Sequence, residues 1–412
     1  MNLQSPWRLL CLALALLASA ACRNSGPQVA VGPTFNGRLI LYTERFGESN
    51  KIYEIKSDPT TGNINLNVIA ESVEDFALSP DGAYLLYTQR SGSEIFLRDL
   101  STAEVRKLLL KRASALNWSP DGSQFSYRDD SLRQLVVSNL SGQSQVIDKP
   151  PSQMYNEHGF YVESFTSTVH GAIESPFWVG PNLLVFQRFK GPFPKSVLKN
   201  QSDLKPTTTT LAVIGGKSML VDAPKRWYVG PRCAKGSFVV FGEKPFSCMD
   251  CSNRNKNRAD APFHIAQDFS DFEKTKFRPL SFSSGPDCWG CDEPLKFMAN
   301  TCQLYYVKSS PAPMELGAPS QNMLYFLDPI SLQEQPGIDL GKDRSLLDTL
   351  ISPEGKTIAL AFYHSQYYSL SIKDLNTGGE TYLSKTLPPP IKTDGYARYD
   401  FKVMKFLAWL PE

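Results

Sequence analysis

Six cysteines in one part of the chain are the residues whose type and spacing best suit chemistry. Four of them form two Cys-x-x-Cys pairs, which have the ligand type and number of a structural zinc site. If the chain is exported to an oxidising compartment, an even number of cysteines instead favours disulfide bonds. We therefore expect disulfides and keep zinc as the alternative for the two pairs. The six residues are Cys233, Cys248, Cys251, Cys288, Cys291 and Cys302.

Other signatures of chemistry are weak in this sequence. The Gly-x-Ser-x-Gly motif of serine hydrolases does not occur. Gly215-Gly-Lys-Ser218 resembles the end of a phosphate-binding loop, but Leu211 stands where the first glycine belongs. The four histidines are scattered without the spacing of metal ligands. We expect no catalytic residues, and no cofactor apart from the zinc alternative.

The elements that must position these residues are repeated β-hairpins. The stretch from Phe76 to Thr88 reads as a strand, a Ser-Pro-Asp-Gly turn and a second strand. Proline presets φ in such a turn, aspartate bonds the backbone that follows, and glycine accepts positive φ. The unit recurs from Leu116 to Tyr127 and, with glutamate for aspartate, from Leu350 to Ala361. The first two copies set a period of roughly 40 residues, which is typical of a β-propeller.

The two ends of the chain complement each other. The N-terminal group of strands, from Gly37 to Ile69, lacks a first strand, and Phe401 to Leu410 is a surplus first strand at the C-terminus. Pairing the two would remove the open seam of a ring of blades. We therefore predict an all-β fold, a β-propeller of seven blades closed by the C-terminal strand joining the N-terminal blade. Residues 35–412 would form this single domain.

The hairpin pattern also places the cysteines. Cys233 and Cys302 fall where other repeats have the turn between first and second strands, in adjacent blades, so we predict a disulfide between them. The pairs Cys248-Met-Asp-Cys251 and Cys288-Trp-Gly-Cys291 fall in loops on the opposite face. These four thiols would form a separate cluster, as disulfides or as a four-cysteine zinc site.

The N-terminus carries an export signal. Residues 1–21 contain one positive charge, an apolar core too short to span a membrane, and small residues before Cys22. Ala18-Ser-Ala-Ala-Cys22 resembles the lipobox of bacterial lipoproteins, which implies that Cys22 is lipidated. By analogy with the lipoprotein sorting rule, Arg23 in place of aspartate implies the outer membrane. Residues 22–34 would then be a flexible, lipid-anchored tether.

The repeats carry a family resemblance. The Ser-Pro-Asp-Gly hairpins, with Asp-Leu or Asn-Leu after the third strand, resemble the TolB-type, WD-repeat-like propeller repeats of bacterial envelope proteins. Such repeats serve as binding platforms or as the gating domain of a serine peptidase. The resemblance therefore implies the fold and says little about activity.

The net charge and the export signal restrict the classes of partner that this chain can have. The 43 basic and 41 acidic residues leave a net charge of +2, which lacks the basic excess that nucleic acid selects. We predict an outer-membrane lipoprotein, facing the periplasm or the cell surface, whose propeller is a non-enzymatic platform for envelope proteins. The alternative is a propeller enzyme or carbohydrate-binding protein that binds a sugar or small molecule in the central channel.

Overall fold

A computed structural model describes the fold through twenty-eight β-strands. All regular elements of the described residues are strands, which confirms the all-β prediction. Within those same residues, no helix is long and apolar enough to cross a membrane. The residues described are 35–45, 49–57, 64–90, 92, 94–132, 134–148, 176–188, 208–213, 219–221, 228–233, 238–242, 263–267, 276–280, 295–298, 300–309, 321–342, 345–364, 367–384 and 401–410.

The strands follow one another along the chain with these bounds: β1 (Arg38–Arg45), β2 (Lys51–Ser57), β3 (Ile64–Glu71), β4 (Val73–Leu78), β5 (Tyr84–Gln89), β6 (Ile95–Asp99), β7 (Val105–Leu109), β8 (Ala113–Trp118), β9 (Gln124–Asp129), β10 (Gln134–Asn139), β11 (Ser144–Asp148), β12 (Phe177–Gly180), β13 (Leu183–Arg188), β14 (Thr208–Val213), β15 (Met219–Val221), β16 (Tyr228–Cys233), β17 (Phe238–Gly242), β18 (Phe263–Ala266), β19 (Arg278–Leu280), β20 (Leu295–Phe297), β21 (Leu304–Ser309), β22 (Gln321–Leu327), β23 (Glu334–Lys342), β24 (Ser345–Ile351), β25 (Thr357–His364), β26 (Tyr367–Asp374), β27 (Glu380–Ser384) and β28 (Phe401–Leu410).

These strands form antiparallel four-stranded sheets. Sheet 1 has the order β28-β1-β2-β3, and each later sheet takes the next four strands of the chain in sequence. Sheet 2 is β4–β7, sheet 3 is β8–β11, sheet 4 is β12–β15, sheet 5 is β16–β19, sheet 6 is β20–β23 and sheet 7 is β24–β27. The first strands of neighbouring sheets lie beside one another, as β4 and β8 do, so the first strands are innermost and the fourth strands outermost.

The Ser-Pro-Asp-Gly turns have the bonds that their residues predict. In sheet 2 the Ser79 hydroxyl donates to Asp81 Oδ1 (2.6 Å) and accepts from the Tyr84 N–H (2.8 Å). Gly82 has a φ of 72°, and a side chain there would collide with Leu410 of β28. The corresponding turn of sheet 3 repeats the serine bonds. Each turn therefore joins the first strand of its sheet to the second in a defined register.

Sheet 1 is built from both ends of the chain. β28 pairs with β1 along its whole length, from Arg38 opposite Leu410 to Arg45 opposite Phe401. The Trp409 indole N–H also donates to the Asn36 carbonyl (2.9 Å). The N-terminal sheet therefore receives its first strand from the C-terminus, the pairing that the sequence predicts.

Six clusters of buried apolar side chains pack neighbouring sheets together. They join sheets 1 and 2, 2 and 3, 3 and 4, 5 and 6, 6 and 7, and 7 and 1. The described side chains provide no such cluster between sheets 4 and 5. Strand pairing also stays within each sheet, so the sheets are not linked into a ring by ladder hydrogen bonds.

The prediction of a closed seven-bladed ring is therefore wrong as it was made. The described structure is a β-propeller whose ring of sheets is not closed by hydrogen bonds, with apolar clusters at six junctions of the described residues. The reason is that hairpin patterns report pairing within a sheet, whereas closure depends on side-chain packing between sheets. Sheets 4 and 5 also end in the three-residue strands β15 and β19.

Candidate functional site

Two aspartates, Asp348 buried and Asp75 half-buried, occupy the same repeat position on innermost strands. Asp75 of β4 lies four residues before Ser79, and Asp348 of β24 lies four residues before Ser352. Each serine begins the turn to the second strand. Buried carboxylates on strands that line a propeller's centre are the natural place to look for a functional site.

Asp348 is part of a buried ion pair that connects three sheets. The Lys296 ammonium of β20 donates to Asp348 Oδ1 (2.6 Å) and to the Thr349 carbonyl (2.9 Å). The Phe406 N–H of β28 donates to Asp348 Oδ2 (2.6 Å). The Lys296 and Asp348 side chains are only 10% and 4% exposed. Both carboxylate oxygens therefore have a partner, and sheets 6, 7 and 1 are joined at one point.

Burial dominates the electrostatics of this pair. It raises the pKa of the Asp348 carboxyl, and the adjacent Lys296 ammonium opposes that shift by favouring the ionised form. A buried ion pair of this kind contributes little beyond its own desolvation cost, but removing one partner leaves an uncompensated charge. The pair therefore acts as a structural clamp between blades.

Asp75 makes the corresponding link between sheets 2 and 3 without a cation on its oxygens. Asp75 Oδ1 accepts from the Phe76 N–H (2.8 Å), and Oδ2 accepts from the Leu116 N–H of β8 (2.9 Å). Burial raises the pKa of the Asp75 carboxyl, and the nearby Asp130 carboxylate acts in the same direction. Asp130 is itself bonded by Arg128 Nε and the Ser114 hydroxyl, both at 2.8 Å.

Asp75 and Asp348 thus use their carboxylate oxygens in bonds that hold neighbouring sheets together. In the part of the chain that the structure describes, no group of three or more His, Cys, Asp or Glu residues is arranged to hold a metal ion. The chemistry available at Asp75 and Asp348 is hydrogen bonding to backbone amides and pairing with Lys296. Their arrangement stabilises the junctions.

The outer side of sheets 2 and 3 presents apolar side chains to solvent. Val105 of β7 is 42% exposed, Val146 of β11 is 40% exposed, and Leu110 and Leu132 in the loops are 75% and 54% exposed. We call these four residues the outer apolar surface. Monomeric proteins expose single apolar residues routinely, whereas a contiguous set marks a docking surface, and that these four act as one set belongs to the proposal below.

Basic side chains accompany the outer apolar surface. Arg106, Lys107, Lys111 and Arg112 are all exposed and lie next to its residues in the chain. Lys107 Nζ pairs with Glu94 (2.8 Å), and Lys111 Nζ lies 3.3 Å from the buried carboxylate of Asp129. The region therefore combines exposed apolar groups with cations, two of which are already paired with carboxylates.

A polar cavity opens beside sheet 3, on the side of its Ser-Pro-Asp-Gly turn. Its volume is about 480 Å³. Gln124, Asn139 and Gln143 contribute amides, and the other side chains are mostly hydroxyls and amides without a formal charge. The Gln124 amide also donates to the Asn182 side chain (3.3 Å) across the junction with sheet 4. Neutral groups of this kind can bind hydroxyl-rich ligands.

Two of the cysteines predicted from the sequence lie among the described residues. Cys233 and Cys302 are joined by a disulfide whose Cα atoms are 5.4 Å apart. The bond lies in the buried cluster between sheets 5 and 6. It is the pairing between adjacent blades that the hairpin pattern predicts.

The remaining predicted site residues lie outside the described residues, and their roles stay predictions. They are the lipidation candidate Cys22 and the four thiols of the disulfide or zinc alternative, Cys248, Cys251, Cys288 and Cys291.

Sequence reasoning missed the inner carboxylates. The available signal was positional, because Asp75 and Asp348 stand at the same distance before the serine of two repeated turns. Aligning the repeats on Ser79 and Ser352 would have revealed this coincidence. Lys296 carries no such signal, because sheet 6 has Met298 where sheets 2, 3 and 7 have the turn serine.

The geometry defines an all-β propeller, and comparisons with known proteins agree on that class. No family model matches the sequence, and no curated protein matches it. The β-propeller domain of the Trilobed protease from Pyrococcus furiosus, described as having an open velcro topology, is similar with a TM-score of 0.50 and 13% identity. The match covers 87% of this chain and 98% of that one.

Two further solved structures are similar over most of this chain. TolB from Acinetobacter baumannii matches with a TM-score of 0.43 and 12% identity, over 91% of this chain and 67% of that one. Pyrococcus horikoshii acylaminoacyl peptidase matches with a TM-score of 0.47 and 13% identity, over 82% of this chain and 48% of that one. At such identities the likeness shows the fold alone. TolB-like propellers are among the similar structures, and so are enzymes.

Proposed function

We propose that this chain is a non-enzymatic binding platform for proteins of the bacterial envelope. The observation that carries the proposal is the outer apolar surface, formed by Val105, Leu110, Leu132 and Val146 on two neighbouring sheets. Burying such side chains against a partner releases free energy of about 25 cal/mol per Å² of apolar area. A partner surface with apolar groups would complement these side chains.

The use of the inner charged groups supports a platform over an enzyme. Catalytic carboxylates need an oxygen that is free to meet substrate. Asp348 has a partner on both oxygens, and so does Asp75. These groups therefore serve the scaffold, whereas the outer apolar surface is exposed to a partner.

The platform would be exported and held at the outer membrane through lipid on Cys22. This part of the proposal rests on the residues of the leader. The predicted tether over residues 22–34 would let the propeller move away from the membrane surface. Mass spectrometry of the mature N-terminus tests it. We expect a mass that corresponds to diacylglyceryl-modified Cys22, and an unmodified N-terminus at or after Cys22 would contradict lipidation.

Site-specific photo-cross-linking in intact cells tests the binding platform. A photoreactive amino acid is placed at Leu132 or at Val146, and the matched control is Tyr382 of β27, an exposed apolar residue on sheet 7 (47% exposed). We expect discrete protein adducts from Leu132 and Val146 and none from Tyr382. Equal adducts from all three positions, or none from any, would contradict the proposal.

The polar cavity beside sheet 3 favours carbohydrate binding as a second candidate function. Its neutral amides and hydroxyls suit sugar hydroxyl groups, and it replaces the central channel as the location to test. Calorimetry with soluble peptidoglycan fragments compares the wild-type chain with Gln143→Ala. Binding that weakens at least tenfold in the variant would support a sugar site, and heat signals that do not differ would exclude this cavity.

A further inference from the structure

The outermost strand of sheet 1 has a free edge without the protection that is present on β7, β15, β19 and β23. Among the described strands only β2 pairs with β3, so the other edge of β3 carries backbone groups outside any strand pairing, and the Ile69 carbonyl accepts from Arg98 (2.8 Å). Five consecutive residues from Ile64 to Val68 pair regularly with Ser57 to Tyr53, before an irregularity at Ile69. From Asn65 to Val68 every side chain is exposed. This is an accessible and regular strand edge.

Up to the irregularity at Ile69, the β3 edge also lacks the features that protect edges from pairing. Natural edge strands are blunted by charges, proline, bulges or shortness. β7 carries Arg106 and Lys107, β23 carries Pro336, and β15 and β19 have three residues each. From Ile64 to Ala70, by contrast, β3 has neither charge nor proline, and Glu71 comes only at its end.

The side chains of β3 are complementary to themselves. In an antiparallel pair with Asn67 opposite Asn67 of a second copy, Leu66 faces Val68 and Val68 faces Leu66. Apolar pairs of this kind stabilise sheets, and facing asparagine amides can bond each other. No like charges face each other in this register, because the regular segment carries none.

The apolar pair would also extend an existing core. Leu66 lies opposite the fully buried Ile55 and Val68 opposite the buried Tyr53 on β2. Ile55 and Tyr53 belong to the cluster that packs sheets 1 and 7, and Ile64 of β3 packs against that same cluster. A second copy would therefore cover the outer end of a core that now leaves Leu66 and Val68 about two-fifths exposed (38% and 43%).

We propose that two copies of this chain associate through β3, which pairs antiparallel with β3 of the second copy about Asn67. The occupant of the edge is thus the chain itself, in a two-fold symmetric contact that buries the same surface on both copies. The contact is separate from the outer apolar surface on sheets 2 and 3. Failure of either proposal therefore leaves the other standing.

Cysteine cross-linking tests the register directly. The variant Asn67→Cys places two thiols on the symmetry axis, with Cα atoms about 4.5–5.5 Å apart, which suits a disulfide. The matched control Asn65→Cys places them four residues out of register, roughly 13 Å apart. Mild oxidation of the purified mature chain should give a covalent dimer at least tenfold more abundant for Asn67→Cys than for Asn65→Cys or the wild type.

A charge exchange tests the facing pair in solution. Leu66→Lys and Val68→Glu each place a charge against an apolar residue, so each variant alone should sediment as a monomer at about 100 μM, where the wild type associates. Mixing the two variants brings lysine opposite glutamate and restores a hetero-association. Val105→Lys on β7 is the control and should leave sedimentation unchanged.

The outcomes separate the β3 dimer from its alternatives. Selective Asn67→Cys cross-linking together with rescue by mixing supports the dimer. A wild-type chain that sediments as a monomer at about 100 μM overturns it, as do equal yields from both cysteine variants. Adducts of Asn67→Cys with a different protein in intact cells, with no covalent dimer, would assign the edge to a foreign strand and also overturn the proposal.

Discussion

The inner and outer strands of this propeller use polar and apolar residues in opposite ways. The inner strands bury the charged groups of Lys296 and Asp348, and bonds from these residues and from the half-buried Asp75 join one sheet to the next. The outer strands expose apolar groups such as Val105 and Val146, which the fold leaves uncovered. Under the proposed function, the centre of the molecule serves stability and its rim serves association. Substitutions at the centre should therefore lower the free energy of unfolding, whereas substitutions at the rim should weaken partner binding.

The largest loss of stability is expected from breaking the buried ion pair. Lys296→Met removes the cation and leaves the Asp348 carboxylate buried without it, which should lower the free energy of unfolding by about 3–5 kcal/mol. Equilibrium denaturation measures the change. Adding Asp348→Asn to Lys296→Met removes the stranded charge, so the double variant should be more stable than Lys296→Met alone. A double variant that is less stable would show that the pair is not a clamp.

A smaller loss is expected at the equivalent position of sheet 2. Asp75→Ala leaves the Phe76 and Leu116 amides without an acceptor, which should cost about 1–3 kcal/mol in unfolding free energy. Asp75→Asn keeps one acceptor oxygen in place and should cost less. Denaturation of both variants checks this order. An Asp75→Ala chain as stable as the wild type would show that Asp75 does not stabilise the junction of sheets 2 and 3.

These positions mark the limit of what the sequence reveals. Turn chemistry around Ser79 and the surplus strand at Phe401 are local or terminal signals, so the hairpins, the all-β class and the β28–β1 pairing could be predicted. The bond between Cys233 and Cys302 followed from equivalent turns in adjacent blades. The Lys296–Asp348 pair spans 52 residues and depends on packing between sheets, which no local pattern encodes. The prediction of a closed ring was wrong for the same reason, because closure also depends on packing between sheets.

The smallest stability effect is expected at the exposed turns after the third strands, and it should depend on pH. Backbone N–H groups of residues 376 and 377 lower the pKa of the Asp374 carboxyl below its ordinary 3.8. A lowered folded-state pKa means that this stabilisation is present above the unfolded-state pKa and is lost as pH falls through the folded-state value.

Sheet 3 offers a natural control for this effect, because Asn139 makes similar turn bonds without a charge. The variant Asp374→Asn should therefore fold normally and lose less thermal stability than the wild type between neutral pH and pH values below 3.8. Thermal melts across that range check the difference. Identical pH profiles for the two chains would show that the Asp374 turn does not contribute.

The contrast between centre and rim is tested most directly by one paired measurement on the variant Leu110→Lys with a photoreactive residue at Leu132. The account predicts an unfolding free energy within about 0.5 kcal/mol of the wild type, because Leu110 is 75% exposed, together with loss of the Leu132 adduct in cells. Asp75→Ala carrying the same photoreactive residue, assayed where it remains folded, should keep the adduct. An adduct that survives Leu110→Lys but disappears in folded Asp75→Ala would contradict the account, because it would place the binding function at the centre of the propeller.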